Sequence, residues 1–216
     1  MDTISVWRAT APHAGFPTLQ EEITTDVVIV GGGITGVTLA LNLAEQGTSA
    51  VLLEARGVGF GSTGNSTGNL YETISKGIHQ IVDRWDSDTA RAVATARRAA
   101  VEQIDQRVRK FDIPCAFRRC RLYRYATSEN AQDSVEKEYQ GSLKAGLSVH
   151  LEKALPAPLA PPSGPVLALD NQAQFHPQAY VRGLARQAAA QGCRIFENST
   201  VINVDKDKRI VRTDKG

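Results

Sequence analysis

The run from Asp26 to Glu54 sets the pattern. Four apolar, mostly β-branched positions (Val27–Val30) lead into glycines, then a stretch dominated by apolar residues from Ile34 to Ala44, a polar Glu45-Gln46-Gly47, and a second apolar run, Ala50–Leu53. The first run predicts a parallel strand buried on both faces. The longer one predicts a helix with Gly47 at its C-terminal end, and Ala50–Leu53 predicts a second strand. Helical spacing returns between Ile74 and Phe111. There Ile78, Ile81, Val82 and Trp85, then Ala90, Val93, Ala94, Ala100, Val101, Ile104 and Val108, mark two helices broken near Asp86-Ser87-Asp88, with Asp88 capping the second. Ala116–Ala126 reads as a strand, Ser128–Ala145 as a helix capped by Ser128 and stopped near Gly146, and Val149–Leu151 as a strand. Pro156, Pro158, Pro161, Pro162 and Pro165 mark a loop. Beyond it Val166–Leu169 and Gln172–Phe175 read as separate short strands, and His176-Pro177 starts a helix to Ala190. Cys193–Phe196, Thr200–Val204 and Arg209–Thr213 read as strands, the last two joined by a charged turn. Residues 1–25, broken by Pro12, Gly15 and Pro17, have little periodicity and read as a lead-in lying over the sheet, with Trp7 and Phe16 as anchors.

Gly31, Gly33 and Gly36 have the G-x-G-x-x-G spacing, placed directly after a strand and at the opening of a helix. The first glycine permits the tight turn, the second lets a pyrophosphate approach the backbone, and the third lets helix pack on strand. The N–H groups at the helix start, including those of Ile34 and Thr35, then face the phosphates. Glu54 ends the second strand eighteen positions after Gly36, where a carboxylate can accept from both hydroxyls of an adenosine ribose. Strand, turn, helix, strand and acid in this order indicate a dinucleotide site, against the blander reading of a glycine-rich turn with no ligand. Val27–Ala44 has the eighteen-residue length of a membrane span, but its glycines, Asn42 and strand-like start exclude an integral membrane segment. Ala55–Asn69 is rich in Gly, Ser, Thr and Asn. Such a stretch is a flexible linker or a wall whose backbone N–H groups approach a second, flat part of the ligand. Its start at the ribose-binding acid favours the wall.

The chain has 216 residues, enough for one substantial core or two small ones. Its net charge of +2, from 25 basic and 23 acidic side chains, gives no general attraction to nucleic acid or anionic membrane. The cysteines Cys115, Cys120 and Cys193 lack the spacing of a disulfide framework or a metal site, and the N-terminal segment lacks the apolar core of a secretory signal, so a cytoplasmic location is expected. His13, His79, His150 and His176 read as surface or capping residues. Arg118, Arg121, Tyr123 and Tyr125 either line a substrate pocket or belong to an ordinary sheet face.

DVVIVGGGITG, Glu54-Ala55-Arg56 and GFGSTGNSTGNL together resemble the FAD-dependent oxidoreductases of the D-amino-acid oxidase and glycine oxidase superfamily, as do SVWRAT and the later HPQAYVRGLARQAAAQGCRIFENSTVINVD. GSTGNSTGNL is most similar to members named only as FAD-dependent oxidoreductases, some with an additional Rieske domain; no Rieske cysteine–histidine pairs occur here. The resemblance implies an α/β fold: a Rossmann-like FAD-binding domain with an inserted α+β substrate-domain segment. Residues 1–75 and 171–216 would belong to the first and 76–170 to the second. It implies that Gly31, Gly33, Ile34, Thr35 and Gly36 hold the pyrophosphate, that Glu54, with Ala55 and Arg56 beside it, holds the ribose, and that Val201 meets the adenine through its backbone. Gly61, Ser62, Thr63, Asn65, Thr67 and Gly68 would face the far end of FAD. The implied reaction is hydride transfer from a small amine or amino acid to flavin N5, followed by hydrolysis of the imine.

In that family a further apolar strand, a second substrate segment and a final glycine-containing flavin motif follow the strand seen here at Arg209–Thr213. The resemblance therefore leads us to expect an N-terminal portion of a longer protein, completed by its C-terminal half or by a partner. It gives no catalytic residue, and residues 1–216 alone are expected to bind FAD weakly and not to turn over substrate. A nicotinamide-dependent dehydrogenase is the rival among enzymes. Arg56 suits a 2′-phosphate, but Glu54 would repel it. A non-catalytic chain is the rival from outside enzymes.

Overall fold

The computed structural model describes residues 3–11, 15–128, 131–159, 162 and 164–215; Pro12, His13 and Pro161 lie outside this set. The chain divides into two compact units, one of residues 1–68, 108–116 and 176–216, the other of residues 69–107 and 117–175.

In the first unit, after a five-residue helix α1 (Val6–Thr10), the expected strand–helix–strand forms as β1 (Val27–Val30), α2 (Ile34–Glu45) and β2 (Ala50–Leu53). A short 3-10 turn covers Thr63–Asn65. Elements of the second unit intervene before α6 (Pro177–Ala190), β7 (Arg194–Phe196) and the hairpin β8 (Val201–Asp205) and β9 (Ile210–Thr213). The sheet is parallel in the order β1-β2-β7, with Ile29 opposite Leu52 and Leu53 opposite Phe196. β2 is central and all four of its residues are buried. α2 buries Val37, Ala40, Leu41 and Ala44, and α6 buries Tyr180, Val181, Leu184, Ala185 and Ala188; the alanines on both faces leave room for close helix packing. Leu19 from the lead-in joins Val51, Leu53 and Phe196 in a cluster against which Val201 and Val211 pack.

β1 corrects an expectation. It is not buried on both faces: it forms the edge of the sheet, with Ile29 buried but Val28 and Val30 36% and 59% exposed. β-branched composition reports that a segment is suited to a sheet, and carries no information on whether a second neighbour is present.

The second unit contains β3 (Asn69–Leu70), α3 (His79–Arg84), most of α4 (Ser87–Lys110), β4 (Arg118–Tyr125), α5 (Gln132–Lys144), β5 (Val149–Glu152) and β6 (Val166–Gln174). Its sheet is antiparallel around β6, with β4 along one side and β3 and β5 on the other. The two short strands expected at 166–175 are one. Polar Asp170-Asn171 interrupts the apolar pattern, but Asn171 takes a left-handed conformation (φ 59°) and β4 shifts register between Cys120 and Leu122, so pairing continues past the irregularity. The cap of α4 is Asp86, not Asp88: its Oδ1 accepts from the Thr89 N–H at 2.6 Å, and that bond holds its carboxyl below the usual range. Ser128 does not cap α5, which starts at Gln132 after Ala131.

The second unit also buries a polar knot. Glu138, 1% exposed, accepts from the Thr73 hydroxyl and the Ile78 N–H through Oε1, and from the His79 N–H and Nδ1 through Oε2. Four donors on one buried carboxyl satisfy it fully. His79, expected at the surface, is therefore a structural partner.

Candidate functional site

The site grows from the end of β1. Gly31 has φ 104°, a region that side-chain-bearing residues rarely enter, and its N–H donates to the Leu53 carbonyl at 2.8 Å. A Cβ on Gly36 would stand 2.0 Å from the Gly31 carbonyl oxygen. That approach explains the third glycine: the first turn of α2 lies directly on the turn it leaves. Gly33 caps the helix in an extended conformation without a side-chain bond, leaving the N-terminal N–H groups exposed to a ligand. One of them is engaged, since Ile34 N–H donates to Thr63 Oγ1 at 3.0 Å and ties the helix start to the Gly/Ser/Thr loop.

Gly31, Gly33, Ile34, Thr35 and Gly36 line one side of a cleft of about 610 Å³, which Ser62 and Thr63 also border. Val28, Val30 and Leu39 form its apolar part. Every described residue lining it is uncharged, so an anion bound there is held by backbone dipoles and the start of α2.

Glu54 lies beside this turn. Its Oε2 accepts from the Gly32 N–H at 2.7 Å and its Oε1 from the Arg56 N–H at 2.9 Å. The carboxyl therefore braces the turn, a use the sequence did not reveal. A carboxylate offers about four acceptor directions, which leaves capacity for ribose hydroxyls. Ala55 and Arg56 follow on the surface, the strand having been joined to its neighbour by Glu54 N–H to Phe196, Ser199 N–H to Glu54 and Asn198 N–H to Arg56. Gly61, Asn65, Thr67 and Gly68 continue the loop beyond the residues that line the cleft, with Asn65 Nδ2 donating to the Gly61 carbonyl at 3.0 Å. Val201 opens β8 with its side chain turned to the Leu19 cluster and is not among the cleft residues.

Three supports hold the loop: two were missed from the sequence, and in the third Trp7, expected to anchor the lead-in over the sheet, is bonded to the loop. Glu197, 6% exposed, accepts from the Val58 N–H at 2.6 Å and the Phe16 N–H at 2.9 Å. Gln178, fully buried, donates through Nε2 to the Val58 carbonyl at 2.6 Å. From α1, Ser5 Oγ donates to the Gly64 carbonyl and Trp7 Nε1 to the Ser66 carbonyl at 2.7 Å. Glu197 carried a usable signal: it follows an apolar strand as Glu54 does, and the pairing of Leu53 with Phe196 makes the two acids neighbours in register.

In the second unit, Tyr71, Cys120, Arg121, Tyr123, Gln172 and Gln174 are among the residues lining a separate cavity of about 300 Å³. Arg121 is engaged there by Asp170 at 2.6 Å and Glu152 at 3.1 Å, and Arg118 by Gln174 at 2.8 Å. Burial pushes the Cys120 thiol up, with Arg118 opposing, so it stays protonated at neutral pH. Among the described residues, no group of three or more His, Cys, Asp or Glu could hold a metal ion, and no helix is long and apolar enough to cross a membrane.

Known proteins resemble this chain in sequence and in fold. A Bacillus subtilis (strain 168) protein named as a Rieske 2Fe-2S iron-sulfur protein, YhfW, is 33% identical over 94% of this chain and 40% of its own length. The gamma-glutamylputrescine oxidoreductase of Escherichia coli (strain K12) is 32% identical over 99% of this chain and 51% of its own length. The chain thus spans about half the length, or less, of these relatives. Among solved structures, L-amino acid deaminase from Proteus myxofaciens superposes with a TM-score of 0.74 over 96% of this chain and 46% of that one, at 19% identity, a likeness of fold alone. Residues 26–216 match the family described as DAO, FAD dependent oxidoreductase, and the chain belongs to that family.

Proposed function

We propose that this chain supplies the nucleotide-holding part of a flavoenzyme that oxidises a small amine or amino acid. The observation that carries the reading is the uncharged cleft running from the Gly31–Gly36 turn and the start of α2 to Ser62 and Thr63, with Glu54 braced beside it. The residues fit FAD: the turn admits no side chain at Gly36, and the helix start offers N–H groups to a pyrophosphate. In this assignment Gly31, Gly33, Ile34, Thr35 and Gly36 hold the pyrophosphate, Glu54 the ribose with Ala55 and Arg56 alongside, and Val201 the adenine through its backbone. Gly61, Ser62, Thr63, Asn65, Thr67 and Gly68 serve the ring end. Bound FAD supplies a two-electron acceptor for a hydride from the carbon beside the substrate nitrogen; the protein orients the partners and excludes water. No side chain is assigned as a catalytic acid or base.

The names of the relatives support an amine or amino-acid substrate, one being a gamma-glutamylputrescine oxidoreductase and a fold neighbour an L-amino acid deaminase. The substrate domain would start within residues 76–170, with 1–75 and 171–216 forming the FAD-binding part. The exposed edge of β1 is the seat for a further strand, from the remaining half of the domain or from a partner, because sheets of this class carry strands on both sides of the first one. A cytoplasmic setting accords with three cysteines that form no disulfide. Calorimetric titration of the intact protein with FAD, NAD and NADP tests the reading. Tight FAD binding with a visible flavin spectrum is expected, and tight NADP binding by a protein that purifies without flavin would overturn it.

A further inference from the structure

A five-residue helix is far too short to persist by itself, since isolated helices below about 12 to 15 residues are marginal in water. α1 buries none of its residues, so its own core does not hold it either. What holds it is a set of directed contacts, all within the first unit. Ser5 Oγ donates to the Gly64 carbonyl, and Trp7 Nε1 donates to the Ser66 carbonyl at 2.7 Å. Arg8 lies over the Phe60 ring at 4.4 Å. On its other side, the Trp7 ring meets the His176 ring edge-on at 4.9 Å, and Thr10 Oγ1 lies 3.0 Å from His176 Nε2.

These contacts fall on the carbonyl groups of the loop. The carbonyls of Gly59, Gly61, Ser62 and Thr63 are taken by donors inside the loop itself, while those of Gly64 and Ser66 are taken by α1. A trans peptide is planar, with its C=O and N–H pointing in opposite directions. Fixing the Ser66 carbonyl toward Trp7 therefore fixes the following amide, the Thr67 N–H, pointing away from α1. Thr67 is exposed and its N–H has no partner among the described residues.

We propose that Trp7 is a positioning residue for the ring end of the cofactor: by holding the Ser66 carbonyl it aims the Thr67 N–H as a donor to bound FAD, with Ser5 fixing the adjoining Gly64 peptide. The inference rests on the assignment of Ser62–Gly68 to the ring end of FAD. A donor aimed at the flavin ring stabilises negative charge on the reduced ring, so its misdirection changes the reduction midpoint and the visible band, which a purely structural contact would leave alone.

The test is Trp7→Phe in the intact flavoprotein, which keeps an aromatic ring against His176 and removes only the indole donor, with Ser5→Ala as a second variant. We expect thermal unfolding lowered by no more than the loss of one or two hydrogen bonds accounts for, FAD binding weakened about threefold to tenfold, as for loss of one hydrogen bond, a midpoint moved to lower potential and a displaced visible band. If the wild type binds FAD but neither variant moves midpoint or band, the positioning role is wrong while the cofactor assignment stands. If the wild type itself binds no FAD, the cofactor assignment fails and the inference falls with it. A Trp7→Phe protein that does not fold passes the decision to Ser5→Ala, whose unchanged midpoint and band would overturn the proposal.

Discussion

The Gly31–Gly36 turn and the Val58–Gly68 loop meet at one cleft and are built by opposite means. The turn is local: its shape follows from a φ of 104° at Gly31, the contact of Gly36 with the Gly31 carbonyl, and an acid that closes the next strand. The loop closes short turns of its own, with the Gly64 N–H on the Gly59 carbonyl and the Ser66 N–H on the Thr63 carbonyl, but its placement against the fold comes from outside. Its course is imposed by Ser5 and Trp7, each 59 positions from its partner, Gln178 at 120 and Glu197 at 139. One region takes its shape mainly from its own glycines, with Glu54 bracing it from the end of the next strand, and the other is placed by three distant segments. Mutations in the turn should therefore abolish the site, and those around the loop should tune it.

The strongest way to break this contrast is Gly36→Ala. The added methyl would stand 2.0 Å from a backbone oxygen and 3.3 Å from Ile29 Cγ2, and the oxygen cannot turn aside without undoing the strand-to-helix corner. We expect a stability loss of about 3 kcal/mol, the upper end for overpacking, and a protein that purifies without flavin. Denaturant unfolding and absorbance of the purified protein report both quantities, and normal flavin content would show that the corner tolerates far more than its geometry allows.

A smaller effect is expected from Glu54→Ala, which leaves the corner standing but deprives the Gly32 and Arg56 N–H groups, and the proposed ribose, of their acceptor. Loss of a charge-assisted hydrogen bond costs about 1.5 to 3 kcal/mol, so FAD affinity should fall roughly tenfold to hundredfold. Calorimetry on the folded variant decides it. Unchanged affinity would confine Glu54 to bracing the turn.

The same contrast explains what the sequence disclosed. β1, α2, β2 and the glycine spacing are readable because periodicity and turn chemistry act within a few residues, and Pro177 announced the start of α6 in the same way. The edge position of β1 was not readable from its β-branched composition, because neighbours in a sheet are chosen by the whole topology; it follows from the family resemblance, which assigns further strands to a longer protein and so leaves Val27–Val30 short of neighbours. Gln178 looked like an ordinary polar residue, and although Glu197 follows an apolar strand as Glu54 does, only the fold brings the two to Val58. Merging the 166–175 strands required a left-handed Asn171, a conformation that asparagine permits without demanding.

The least drastic test lies at the junction of loop, α1 and α6, and uses pH. His176 Nδ1 accepts from the Ala179 N–H at 3.2 Å, capping α6, so the proton of the neutral ring is on Nε2 and points to Thr10 Oγ1, whose own proton goes to the Val6 carbonyl at 2.6 Å. A proton added at Nδ1 would face the Ala179 N–H and remove the cap. Burial, aided by the Arg182 charge and opposed by a local backbone bond, holds the His176 pKa below its ordinary value, so the fold favours the neutral ring. Above the unfolded value of about 6.5 the ring is neutral in both states and the cap contributes in full. As pH falls below that point, the unfolded chain takes up the proton first. The contribution then declines until the folded pKa is passed. His176→Asn keeps a capping acceptor that does not titrate, so it should cost little at pH 8 and remove about 1 kcal/mol, the usual worth of a cap, from the loss of stability on the acid side. Unfolding free energies of both proteins from pH 8 to 5 give the comparison directly: parallel curves would mean that His176 protonation is not coupled to the cap, leaving the Arg182 bond to the Ala11 carbonyl and packing to join α1 to α6.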